Sequence, residues 1–209
     1  MISQNYLEKI IQDQAKTFKE KDPGTTREID FKKYLKTEQI TVISGIRRSG
    51  KSTLLKQFSR HYPNYYYLNF DDERLIDFSV SDFQNLMVVF QKQYPSKVIF
   101  LDEIQNVKKW ERFVRRIFEE GYKIFITGSN TKLLGSELAT HLTGRYYKIE
   151  LFPFSFKEFL RLRKVDYGRI ISEKEAEILR NFDNYLQGGG FPEYVKNKKD
   201  ESLKQIFED

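Results

Sequence analysis

The chain contains no cysteine and only two histidines, His61 and His141, far apart in sequence. Without cysteine there is no disulfide framework and no thiolate metal site. The two histidines read as ordinary surface or helix-end residues. The lack of thiols fits an intracellular, cytoplasmic protein. Long apolar runs are missing too: no stretch approaches the length of a membrane span. The N-terminus lacks the apolar core of a signal peptide, so no membrane partner is expected. Proline is scarce, 5 in 209 residues, and its placement is informative. Pro23, Pro63, Pro95 and Pro153 each fall where a periodic pattern stops.

Neither sign of charge dominates. Lysine and arginine number 36 against 30 acids, a net charge of +6. The signs are interspersed, as on solvated faces, and the cationic excess leaves DNA or RNA open as a partner. The length suits one large domain, or one with a small companion.

The chemistry is concentrated in one stretch: Gly45-Ile46-Arg47-Arg48-Ser49-Gly50-Lys51-Ser52-Thr53. It fits the phosphate-binding pattern G-x-x-x-x-G-K-[ST] in full. Gln39–Ser44 before it reads as a buried strand, and Leu54–Phe58 after it begins a helix. In that context the loop's N–H groups and the helix's positive end hold a polyphosphate. Lys51 reaches the β- and γ-phosphates, and Ser52 ligates Mg²⁺.

A second stretch, Lys97–Glu103, has four apolar residues followed by two carboxylates, a strand buried on both faces with acids at its C-terminal end. Ligand chemistry in open α/β sheets sits at that end. Asp102 is then the acidic partner of Ser52 at the metal, and Glu103 the base that polarises a water for attack on the γ-phosphate. Tyr122–Thr127 is a further strand. If it inserts between the first strand and the Asp102 strand, Ser129, or failing that Asn130, lies beside the phosphate loop and can position water or sense the γ-phosphate. Arg145, just before the strand Tyr146–Leu151, is placed to reach a γ-phosphate, usually that of a neighbouring subunit.

Around these lie simpler elements. Residues 1–20 place Ile2, Tyr6, Leu7, Ile10, Ile11, Ala15 and Phe18 at helical spacing, either as a docking or oligomer element or, the base expectation, packed on the helix's own domain. The segment from Arg27 can run past a nucleotide base. Asp71-Asp72-Glu73 is a metal site or, more ordinarily, a helix cap. Val80–Tyr94, Trp110–Gly121 and Lys132–Leu142 read as helices. From Ser155 onward only helices follow, with a close-approach turn at Gly188-Gly189-Gly190-Phe191-Pro192. The expected division is an N-terminal helix (1–24), an α/β core (25–152) and a helical lid (153–209), truncated at its C-terminus.

Gly45–Thr53, Val98–Glu103 with Ile104-Gln105-Asn106 and Trp110-Glu111-Arg112-Phe113, Ile126–Ser129, Leu142–Tyr147, Pro153–Phe159 and Gly188–Pro192 together resemble AAA-type ATPases of the "archaeal ATPase" family, related to the signal-transduction NTPase clade. The resemblance implies a three-layer P-loop NTPase fold with a parallel 5-1-4-3-2 sheet. It implies ATP or ADP with Mg²⁺ as ligands, Lys51 and Ser52 as Walker A, and Asp102 and Glu103 as Walker B. It makes Ser129 or its neighbours sensor 1, Arg145 the arginine finger acting in a homo-oligomer, and Gly189–Pro192 the turn that closes over the base. The expected function is Mg²⁺-dependent ATP hydrolysis driving a switch or motor. A nucleotide-gated module with little hydrolysis is the alternative. A P-loop phosphotransferase fits less well, because a catalytic glutamate beside the site favours water. A helicase would need two such cores.

Overall fold

The computed structural model describes residues 1–129, 142–168 and 172–197. Asn130, His141 and most of the helix expected at Lys132–Leu142 lie outside the described residues.

Five strands form the sheet: β1 (Ile40–Gly45), β2 (Tyr66–Asn69), β3 (Val98–Asp102), β4 (Lys123–Ser129) and β5 (Tyr146–Leu151). All pairings are parallel, and the order is β2-β3-β4-β1-β5. This is the expected 5-1-4-3-2 sheet, and β4 does insert between β1 and β3. Parallel strands need crossovers, and the helices supplying them cover both faces. Every residue of β1 is buried.

Strand alternation sorts side chains into two layers. Ile40, Val42, Ile99, Leu101, Ile124 and Ile126 enter one core, shared with α1 (Gln4–Glu20), α4 (Phe83–Gln93) and α5 (Trp110–Glu119). Ile43, Phe100 and Phe125 enter the other, under α3 (Lys51–Ser59) and against α2 (Phe31–Lys36). That second layer is aromatic: Phe100 stacks on Phe125 at 4.8 Å and Phe58 packs on Phe125 at 4.9 Å.

The first helix packs on its own domain, as its amphipathic pattern suggested. Leu7, Ile10, Ile11 and Phe18 are buried. The helix also covers the edge strand: Gln14 accepts from Asn69 N–H at 2.7 Å and donates to Asn69 C=O at 3.1 Å, groups that an edge otherwise exposes. Of the three acids after β2, Asp72 acts as a cap. Asp72 accepts from Arg74 N–H at 3.1 Å in the 3-10 turn Glu73–Leu75 and pairs with the Arg74 guanidinium at 2.8 Å.

The helix expected from Val80 starts later. A 3-10 turn occupies Val80–Asp82 because Ser79 and Asp82 form a capping box, and α4 runs from Phe83. Arg115 and Arg116 pair with Glu119 and Glu120 one turn on, the arrangement of a solvated helix face.

The C-terminal helices are α6 (Phe156–Leu162), α7 (Ser172–Gly188) and α8 (Pro192–Asn197), with Phe159, Leu160 and Val195 as a small core. The turn before α8 packs closely against the segment that follows β5. Phe154 N–H donates to Gly190 C=O at 2.7 Å. A Cβ on Gly190 would lie 2.1 Å from Phe154 C=O, so only glycine allows this approach.

Candidate active site

The phosphate loop joins the buried end of β1 to the start of α3. Gly50 makes the turn with φ of 95°, a conformation that costs glycine little. The first residues of α3 are Lys51, Ser52 and Thr53, so the loop opens onto a helix N-terminus, where amides converge on an anion. Lys51 is 5% exposed. Its ammonium donates to Ile46 C=O at 3.3 Å and faces Glu103 Oε1 at 3.7 Å. Ser49 Oγ is buried without a hydrogen-bond partner among the described residues.

The acidic pair stands where the sequence placed it. Asp102 ends β3 and is fully buried. Burial pushes its carboxyl above the usual carboxylate range, while hydrogen bonds from Thr127 and Ser52 pull it back. Tyr67 OH donates to its other oxygen at 3.4 Å; burial first, and then Asp102 itself, push that phenol up. Glu103 leaves the strand with φ of 51°, rare for a non-glycine residue. Its N–H donates to Thr127 Oγ1 at 2.9 Å, and Gln105 Nε2 donates to its Oε2 at 2.6 Å.

Ser129 pairs in register with Gly45 and so lies beside the first residue of the loop. Thr127, two residues earlier, is the β4 side chain that reaches the acidic pair. The signal for it was β4 beside β3, with Leu101 opposite Ile126.

Arg145 is placed differently. Its C=O accepts from Ile40 N–H at 2.9 Å, at the start of β1. The phosphate loop follows the other end, where Gly45 pairs with Leu151. The two ends are about 16 Å apart at 3.3 Å per strand residue, farther than the side chain reaches. Arg145 instead lies 3.9 Å from Glu119.

Arg27 is the larger omission from the sequence reading. Its guanidinium donates to Ser49 C=O at 3.1 Å and Phe152 C=O at 2.5 Å, pairs with Glu158 at 3.1 Å and lies over the Phe154 ring at 4.9 Å. One buried cation thus ties the loop, the end of β5 and α6 together. Beside it is a cavity of about 750 Å³ lined by Arg27–Ile29, Leu151–Ser155 and Tyr185–Phe191. Pro192 approaches the loop, its Cγ 3.9 Å from where a Cβ on Gly50 would lie. Arg48 pairs with Glu193 at 3.3 Å.

A five-stranded parallel sheet, a glycine loop feeding a helix, and an acidic pair on a neighbouring strand end define a P-loop NTPase fold. The sequence profile of the AAA domain family matches residues 37–160, more than half of the chain, and the chain belongs to that family of P-loop ATPases. It is similar to an uncharacterized protein of Methanocaldococcus jannaschii, 38% identical over all of this chain and 48% of that protein. It is also similar to an uncharacterized protein of Haemophilus influenzae, 40% identical over 82% of this chain and 43% of that one. The chain therefore spans about half the length of these relatives. Among solved structures, Hsp104 in a closed state with ATPγS and casein superposes with a TM-score of 0.56, at 16% identity, over 92% of this chain and 40% of that one. That likeness is one of fold. No helix among the described residues is long and apolar enough to cross a membrane.

Proposed function

We propose that the chain binds ATP with Mg²⁺ and hydrolyses the β–γ phosphoanhydride, as a nucleotide-driven switch or motor. The observation that carries this reading is the approach of Glu103 to Lys51 at 3.7 Å across the mouth of the phosphate loop. A carboxylate there is within reach of a water in line with a γ-phosphate held by that lysine.

The residues present suit the ligands. Lys51 is buried with a carbonyl and a carboxylate as its partners, so its ammonium has donors to give to phosphate oxygens. Among the described residues no cluster of three or more His, Cys, Asp or Glu forms a metal cage. Mg²⁺ does not require one, since it takes one or two protein oxygens together with substrate phosphates. Ser52 and Asp102, already hydrogen-bonded to each other, would hold it. Bound there, the ion neutralises charge on the β- and γ-oxygens.

The division of labour follows. The loop from Gly45 to Thr53 cradles the phosphates through its amides. Glu103 accepts the proton of the attacking water. Ser129, beside Gly45, is placed to hold that water or the γ-phosphate. The cavity between Arg27–Ile29 and the lid turn takes the adenine base, and Pro192 closes the lid side of the loop. Arg145 acts, on this reading, in the site of a neighbouring copy, because its own loop is at the far end of the sheet.

Comparing ATP binding and turnover in wild type and Glu103→Gln tests the proposal. Loss of turnover with binding retained supports it.

A further inference from the structure

Gln105 lies in the 3-10 turn Ile104–Asn106, directly after Glu103. Its Nε2 donates to Glu103 Oε2 at 2.6 Å, a close contact between an amide donor and a carboxylate oxygen. Its own carboxamide oxygen is buried and has no hydrogen-bond partner among the described residues. A buried, unpartnered carbonyl opposes folding, so an apolar side chain of the same length would suit this turn better on stability alone. What the amide provides is its bond to the carboxylate.

The two oxygens of Glu103 therefore have separate partners: Lys51 faces Oε1 and Gln105 holds Oε2. The terminal torsion of a glutamate is broad and roughly two-fold, so the carboxylate plane needs something to fix it. The backbone of Glu103 is already fixed, by its bond to Thr127 and by Asn106 N–H donating to Glu103 C=O at 3.1 Å.

We propose that Gln105 is a positioning residue for hydrolysis: it pins Glu103 Oε2 so that Oε1, the oxygen facing the phosphate loop, is presented to the attacking water. This rests on the hydrolytic reading of Glu103 above. When Lys51 turns to phosphate oxygens, Oε1 loses its cation and is free to accept the water's proton, while Oε2 stays bound. Water's oxygen attacks the γ-phosphorus, the bond to the bridging oxygen breaks, ADP leaves with that oxygen, and the proton passes to Oε1.

The test compares steady-state ATP hydrolysis, ATP affinity and thermal midpoint for wild type, Gln105→Met, Gln105→Asn, Glu103→Gln and the double variant Glu103→Gln/Gln105→Met. Methionine keeps the length and removes the amide. It should lower kcat about 10-fold or more, as misplacement of a catalytic group does, with KM and ATP affinity within about twofold and no loss of thermal midpoint. Asparagine, one methylene short, should also lose turnover. The double variant should be no slower than Glu103→Gln alone, because the two residues act as one unit. Wild-type kcat in Gln105→Met would overturn the proposal. So would an equal fall in both backgrounds, or parallel loss of ATP affinity and stability, which would mark a structural role. Wild type and Glu103→Gln test the parent reading separately: a wild type that binds ATP without turning it over removes that reading and this proposal with it.

Discussion

Thr127 bridges the two acids of the site. Its hydroxyl donates to Asp102 Oδ1 and accepts from the Glu103 backbone N–H at 2.9 Å. One β-branched side chain on β4 thus orients a buried carboxylate and fixes the strained residue after it.

Thr127→Val keeps the shape and removes both bonds. Asp102 then loses a donor that favours its charged form, and its carboxyl rises further. Stability should fall by about 1–3 kcal/mol, the cost of leaving buried polar groups unpaired. Mg²⁺-supported ATP affinity should weaken, most at acidic pH, where protonation competes with the metal. Urea unfolding and Mg²⁺ titration of nucleotide binding check this.

Arg27→Met breaks the buried ion pair with Glu158 and frees Ser49 and Phe152 carbonyls. Losing one partner of a buried pair costs about 3–5 kcal/mol. Glu158→Gln should also destabilise, because it leaves the buried Arg27 guanidinium without its counter-ion and only one oxygen to accept from the Glu28 and Ser155 N–H groups. Chemical denaturation of the two variants, side by side, separates charge from packing.

Asp72 gives the acid limb. Hydrogen bonds from Arg74 first, and then Gln14, hold its carboxyl at about 2. A folded-state value below the ordinary 3.8 means that Asp72 stabilises the fold above about pH 4. That contribution disappears as pH falls through about 2. Arg74→Met should therefore lower stability by roughly 1–2 kcal/mol at pH 6 and converge with wild type near pH 2. Unfolding midpoints across that range read it directly.

The legible parts of the molecule were those written locally. Gly45–Thr53 announced its turn and helix, and Val98–Glu103 its buried strand with acids at the end. Strand order followed from the family resemblance rather than from periodicity, because hydrophobic runs do not state their neighbours. Thr127 and Arg27 were not legible for the same reason. Thr127 matters only once β4 lies beside β3. Arg27 meets partners 22 and 125 residues away, and nothing at residues 25–30 announces them. Gln105 stood in view next to Glu103, but its bond depends on the left-handed turn at Glu103, which sequence periodicity does not reveal. The late start of α4 came from Ser79 and Asp82 closing a separate turn first.

Arg145 leads to a mixing experiment. If it completes a neighbour's site, Arg145→Ala and Glu103→Gln subunits are each slow alone. Mixed, they should recover turnover, because an Arg145→Ala subunit keeps its own base and receives a finger from its Glu103→Gln neighbour. An arginine finger is worth about 10³–10⁵ in rate where it acts, so even partial recovery is visible. Titrating one variant into the other and following phosphate release checks it; flat traces would remove Arg145 from the site.

On the proposed reading Glu103 activates water at an ATP site built on Lys51 and Ser52. The direct measurement is ATP binding and steady-state hydrolysis by wild type and Glu103→Gln, with Mg²⁺, under identical conditions. Binding should be equal, and turnover lower by about 10²-fold or more in the variant. Equal turnover in the two proteins, or no ATP binding by the wild type, would contradict it.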